Sequence, residues 1–334
     1  IEFNQDKLED NMWGYHRTVD QKVNIGSAFF QNEWKNEHWG FLIGGRLDKH
    51  NLIDHVIFSP RANLRYNPTE NINLRFSYSS GFRAPQAFDE DLHVENVGGN
   101  VAMVELADNL KEERSQSLSA SADIYHRFGA FQVNFLVEGF YTKLSDVFAL
   151  TDGEIVDGIL TRTRYNAPGA RVMGLTLEGK MAYLTKFQLQ AGITLQQSHY
   201  SEPHVWNKEA PAVKKMMRTP NTYGYFTATY TPIKPLSIAL SGTYTGSMLV
   251  PHEPVPGFLE KPITVNTKDF FDIGLKAAYD FKLYKSMNLQ VNAGVQNIFN
   301  AYQNDFDKGA DRDSGYIYGP SLPRSFFAGV KISY

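Results

Sequence analysis

The sequence predicts an all-β protein, an antiparallel transmembrane β-barrel of about fourteen strands, on three observations. Apolar and polar residues alternate with a period of two in segment after segment. The strand-like runs reach about ten to fifteen residues, against the usual ~5–6 of soluble sheets and close to the ~9–11 tilted residues that cross a bilayer. Tight turns also interleave with long polar loops, as on the two rims of an outer-membrane barrel.

Taken in order, the first strand is expected only as a tail at Ile1–Phe3. Farther on, Ile72, Leu74, Phe76 and Tyr78 alternate with Asn73, Arg75, Ser77 and Ser79. Between Phe131 and Tyr141 the odd positions are Phe131, Val133, Phe135, Val137, Gly139 and Tyr141, set against Gln132, Asn134, Leu136, Glu138 and Phe140. The pattern recurs in Phe187–Gln196, in Leu236, Ile238 and Leu240 against Ser237, Ser241 and Thr243, in Leu289–Gln296, and in Ser325–Tyr334. One face is therefore oily and the other is Gln, Asn, Ser, Thr and Gly, which suits lipid outside and a wet or plugged lumen inside.

Tight turns are expected near Asn67–Glu70, Phe128–Gly129, Thr185–Lys186 and Pro232–Pro235, and long loops near 49–56, 83–112, 150–159, 201–218, 250–268 and 301–323. The long loops belong on the extracellular side. No composition shift marks a boundary, so residues 1–334 read as one barrel domain.

Composition removes other classes. The chain has 334 residues, 42% apolar and 13% aromatic, and its mean hydropathy of −0.37 leaves no window for a spanning helix. There is no cysteine, hence no disulfide, thiolate metal site or thiol nucleophile. The net charge is −3 with both signs mixed, so no basic stripe marks a nucleic-acid partner. No Gly-x-Ser-x-Gly elbow, His-Glu-x-x-His pair or phosphate-cradling loop is present, so the chain reads as no enzyme, and no cofactor is called for. No Met start, basic segment or apolar leader opens at Ile1, so an export signal would lie upstream.

Several motifs sit where strands meet long loops: Tyr78–Phe88 with its Gly81-Phe82-Arg83-Ala84-Pro85 core, Gly44-Gly45-Arg46-Leu47-Asp48, Ser59-Pro60-Arg61, Asn297-Ile298-Phe299-Asn300-Ala301-Tyr302, and the terminal Tyr334. Their order and spacing resemble the barrel of TonB-dependent outer-membrane receptors over essentially the whole chain, and Gln86–His93 resembles Bacteroidetes-type members. The resemblance implies the C-terminal strands of a 22-stranded barrel without its N-terminal plug, in a Gram-negative outer membrane. It also implies contact with TonB through the missing plug region, and import of a scarce metal chelate such as cobalamin, haem or a siderophore. Outer-membrane lipid and a surface lipoprotein are further expected partners. The rival reading is a passive, plugless pore of about fourteen strands; a third is a soluble β-sandwich whose oily faces meet.

Ligand contact is assigned to Phe82, Arg83, Asp89, Asp91 and His93 in the longest loop, Trp206 in the next large loop, and Tyr302, Asp305 and Tyr316 near the last, with aromatics supplying area and charges orientation. Each has a plainer reading: Gly81–Pro85 as a bend, Asp89–Asp91 as a solvated face. Asp305, Asp307, Asp311 and Asp313 are hard oxygen donors, but Ca²⁺ takes ~6–8 oxygens and no EF-hand spacing occurs, so no metal is assigned. Seven of nine histidines, His16, His50, His55, His93, His199, His204 and His252, fall in segments read as external, with His38 and His126 at the other rim.

Overall fold

The computed structural model describes residues 1–87, 95–97, 100–151, 153–156, 158–284, 286–320 and 322–334. In chain order the strands are β1 (Glu2–Met12), β2 (Arg17–Lys35), β3 (Trp39–His50), β4 (Ile57–Thr69), β5 (Ile72–Arg83), β6 (Glu95–Val97), β7 (Asn100–Leu106), β8 (Glu113–Phe128), β9 (Phe131–Ser145), β10 (Val147–Leu150) and β11 (Glu154–Val156). They continue as β12 (Ile159–Ala167), β13 (Ala170–Tyr183), β14 (Phe187–His204), β15 (Val213–Lys215), β16 (Thr222–Ile233), β17 (Leu236–Thr245), β18 (Leu249–His252), β19 (Ile263–Asn266), β20 (Phe270–Lys282), β21 (Asn288–Gln296) and β22 (Ser325–Ser333).

Fourteen of these form one antiparallel path, β1-β2-β3-β4-β5-β8-β9-β13-β14-β16-β17-β20-β21-β22, with β15 added to β14. Among the described residues no ladder joins β1 to β22, so both are edges. The expected strand number and antiparallel order hold. The expected tail at Ile1–Phe3 is corrected: β1 is a full strand paired with β2 from Glu2↔Ser27 to Met12↔Arg17. It escapes alternation because Asn4, Gln5, Asp6, Lys7, Glu9 and Asp10 are polar on both faces, as befits a hairpin that outruns the apolar band.

Pairing carries that band from strand to strand. Phe41 faces Leu64, Leu64 faces Phe76, Phe76 faces Ala120 and Ala120 faces Gly139. Gly139 then faces Leu175, and Leu175 faces Leu195. Toward the C-terminus Phe226 opposes Gly242, and Leu240, Leu275, Val295 and Phe326 follow in line. The Phe226 ring fills the space a side chain at 242 would need, so glycine is what lets the ring lie flat on the sheet. Rings collect near the tight-turn rim, with Trp39 stacked 4.3 Å from Tyr66 and Phe131 4.6 Å from Tyr183, the place of an interfacial girdle.

Among the described residues no second layer packs against this band, whose Phe41, Leu64, Phe76, Leu175 and Leu195 are exposed. The accessible surface is 20523 Å², whereas a compact protein of this mass exposes roughly 14,000 Å². The buried apolar clusters lie in the long-loop region: Ile53 with Ile57 and Ala84, Ala102 with Leu160, and Met248 with Val250 and Tyr316. A sandwich would bury its oily faces against each other, so the soluble reading is overturned. The long loops also hold more order than their polarity suggests, because β10-β12-β7-β6 pair across two loops, with β7 and β12 parallel.

Candidate functional site

All the long connections leave the same rim, and hydrogen bonds bind them into a cap. The last, 297–324, starts at Asn297, which is buried and sits at φ 51°, a conformation Asn tolerates better than most residues. Its amide closes the loop at both ends: Nδ2 donates to the carbonyls of Ala301 (3.0 Å) and Leu322 (3.1 Å), and Oδ1 accepts from the Ala301 N–H (2.8 Å). Inside the loop, buried Gln303 donates to the Tyr316 carbonyl (3.0 Å) and accepts from the Tyr318 N–H (2.8 Å).

From there contacts run outward to three other loops. His252 stacks on Tyr316 and its Nε2 lies 2.9 Å from Asp307 Oδ2, with both polar side chains almost fully buried. Asp313 Oδ2 accepts the Glu253 N–H at 2.9 Å. The Glu253 carboxylate meets Arg162 Nη2 at 2.7 Å and Asn207 Nδ2 at 2.8 Å. Burial pushes the Glu253 carboxyl above the usual carboxylate range, opposed by Arg162 and Asn207. Burial and the Asp305 carboxylate, 2.6 Å from its hydroxyl, raise the Tyr318 phenol well above its ordinary value. Beside Glu253 opens a cavity of 740 Å³ whose lining includes Leu160, Arg162, Asn207, Glu253, Pro256 and Leu259. That volume falls within the ~300–1,000 Å³ of small-molecule sites.

A second group gathers at the start of the long-loop rim. His50 is fully buried, accepting from the Leu52 N–H at 3.0 Å and meeting Gln86 Oε1 at 3.2 Å. Glu112 binds Arg114 at 2.8 Å and His55 at 3.1 Å; burial works to raise its carboxyl, but Arg114, a backbone hydrogen bond and His55 together outweigh it and the net shift is downward.

Of the residues expected to touch ligand, Asp305 and Tyr316 come together, through the Tyr316 hydroxyl at 3.5 Å. Trp206 is buried, and no hydrogen-bond partner for its Nε1 appears among the described residues. Phe82 packs against the Ile53, Ile57 and Ala84 cluster, and Arg83 lies 5.6 Å from the Phe148 ring. Tyr302 is half-buried beyond β21. Asp89, Asp91 and His93 lie outside the described residues. Among the described residues no three His, Asp or Glu side chains gather as a metal site. The four carboxylates near 305–313 are spread instead: Asp305 receives Tyr318, Asp307 faces His252, and Asp313 caps backbone N–H groups. Arg162, Asn207, Glu253 and Gln303 carry no sequence signal, because each works through partners in other loops or across its own.

Comparison with known proteins follows the same lines. A family model described as TonB dependent receptor-like, beta-barrel matches residues 4–298. No curated protein matches at the sequence level. Among solved structures, the siderophore receptor PirA of Acinetobacter baumannii superposes with TM-score 0.67 at 15% identity, over 93% of this chain and 46% of that one. The ferric enterobactin receptor PfeA of Pseudomonas aeruginosa gives 0.65 at 17%, over 95% and 46%, and the FrpB iron transporter of Neisseria meningitidis 0.64 at 17%, over 93% and 46%. The chain thus spans about half the length of these structures. With its antiparallel path, its apolar face and a family model covering most of its length, the chain belongs to the TonB-dependent receptors and forms part of their β-barrel.

Proposed function

We propose that the chain is the C-terminal wall and external cap of an outer-membrane importer that takes up a scarce metal chelate with energy delivered by TonB. The observation that carries this is the joining of four long loops, 146–169, 205–221, 246–269 and 297–324, through Arg162, Asn207, Glu253, His252, Asp307 and Tyr316. A shaped cap over one rim fits capture of a ligand better than free diffusion, and family membership favours it over the passive pore. The similar structures are siderophore and iron receptors, which supports an iron chelate ahead of cobalamin or haem.

In this reading the two edges, β1 and β22, join strands supplied by the rest of a 22-stranded barrel, since an unpaired strand edge in hydrocarbon costs several kcal/mol. Contact with TonB runs through a plug region, and the long loops are the seat for a surface lipoprotein. Aromatic and charged loop residues, Trp206, Tyr302, Asp305 and Tyr316 with Phe82, Arg83, Asp89, Asp91 and His93, orient the ligand.

The test is uptake of radiolabelled ferric chelates, haem and cobalamin by cells with and without the gene. Uptake of one of them that needs the gene and is abolished by a protonophore supports the reading. Entry that is indifferent to the protonophore supports the passive pore.

A further inference from the structure

The last loop brings three hard oxygen donors to one point. The Tyr318 hydroxyl straddles the Asp305 carboxylate, 2.6 Å from each oxygen, and the Tyr316 hydroxyl lies 3.5 Å from Oδ2. The two phenol rings meet edge to face, with 5.4 Å between centroids and 66° between planes. Oxygens set octahedrally around a small hard cation, with bonds of about 2.0–2.1 Å, stand about 2.9 Å apart. The spacings in the loop lie on either side of that value.

The phenols are held in place from behind. Gln303 binds the Tyr316 carbonyl and the Tyr318 N–H, Arg218 donates to the carbonyls of Gly315 and Ile317, and His252 stacks on the Tyr316 ring. Tyr316 is only 4% exposed, yet the one hydrogen bond its hydroxyl makes among the described residues is the 3.5 Å contact, longer than the ~2.5–3.0 Å of an O–H···O bond. A buried hydroxyl turned toward a carboxylate it does not fully reach is costly unless something fills the gap. Among the described residues no basic side chain does so: Arg218 and Arg312 donate to backbone carbonyls, and Lys308 lies over the Phe306 ring. Asp305 is exposed, so the group opens to solvent on that side.

We propose that Asp305, Tyr316 and Tyr318 coordinate ferric iron directly, within a chelate that leaves part of the metal's coordination shell open. One carboxylate and two phenolates carry three negative charges, which match one trivalent cation. As the two phenolate–iron bonds form, the two phenol protons pass to water. Phenolate is a hard anionic donor that also serves haem iron as an axial ligand. Burial and then Asp305 raise both phenols, so a strongly polarising cation is needed to displace their protons near neutral pH, and Ca²⁺ and Mg²⁺ are poorly matched. His252 is a positioning residue, since its ring holds Tyr316 while its Nε2 faces Asp307. The inference rests on the importer reading and narrows the cargo to ferric chelates with exchangeable positions.

The experiment is titration of the whole receptor, purified in non-ionic detergent, with ferric nitrilotriacetate. The parent is expected to develop a visible phenolate-to-iron charge-transfer band, with enhanced tyrosinate modes in the resonance Raman spectrum. Tyr316→Phe and Tyr318→Phe keep both rings, and with them the His252 stacking; each weakens the band and the double variant loses it. Asp305→Asn leaves both phenols in place and lowers the affinity for iron by at least the roughly tenfold loss that follows even from removing a group behind the ligands. A folded parent that stays colourless, or a band that survives in the double variant, overturns the proposal. The titration needs neither TonB nor transport, so iron binding without import refutes the importer reading alone, and import without the band refutes this one alone.

Discussion

The imidazole of His252 lies face to face with the phenol of Tyr316, with 3.8 Å between ring centroids and 7° between planes. Its Nε2 reaches Asp307 at 2.9 Å in the same buried pocket, so one residue fastens the last loop to the loop before it by both stacking and hydrogen bonding. Replacing it by alanine removes the ring stacking and leaves the buried Asp307 carboxylate with the Asp313 N–H as its remaining partner, a loss of about 1–3 kcal/mol. His252→Ala is expected to speed tryptic cleavage at Lys308 and Arg312 in intact membranes. An unchanged cleavage rate contradicts the fastening role.

Asn297 is a second fastening point, with a different signature. Asn297→Gly keeps the positive φ and loses the three side-chain hydrogen bonds, whereas Asn297→Ala loses both. Alanine should therefore destabilise the loop by about 1 kcal/mol more than glycine. Amide exchange across 297–324 measures the difference, and identical exchange in the two variants removes the backbone contribution.

The Glu253 carboxyl carries a pH dependence. Burial raises it above 4.5, its ordinary value, so the protonated form is the one the site favours. Its stabilising contribution is full below that ordinary value and is lost as pH rises through the raised one. Glu253→Gln imitates the protonated form and should flatten the dependence. Exchange protection of 253–262, corrected for intrinsic rate, is expected to fall between acid and neutral pH in the parent and to stay level in the variant. Protection that rises with pH in the parent reverses the sign and refutes the assignment.

The two faces of β17 give a paired test. Leu240 stands in the apolar row and Ser241 beside it on the polar side. Arginine at a lipid-facing midplane position costs about 2–4 kcal/mol, while lumen substitutions are tolerated. Leu240→Arg should reduce the folded, heat-modifiable fraction in the outer membrane, and Ser241→Arg should leave it near the parent level. Equal loss in both contradicts the assignment of faces.

What could be read ahead of the structure follows from the range of each signal. Alternation in Phe131–Tyr141 or Leu236–Thr243 is a local property, so strands, faces and loop sides were legible residue by residue. β1 was not, because a strand that leaves the apolar band loses the contrast that alternation needs. The parallel pairing of β7 with β12 was hidden because two separate loops supply it. At the cap, Tyr316 and Asp305 announced themselves by type and position, whereas Arg162 and Glu253 pair across 91 residues. Phe82 drew attention through its motif, whereas its packing beside Ile53 and Ile57 was not legible, because those partners come from a different loop.

Whether one face of this sheet meets lipid and the other meets water can be measured directly, because the chain has no native cysteine. Single cysteines placed in turn along 236–245, spin-labelled in membranes, report collision with oxygen or with a water-soluble nickel chelate. The account predicts oxygen maxima at 236, 238 and 240 and nickel maxima at 237, 239 and 241. Nickel access of equal strength on both rows would contradict it.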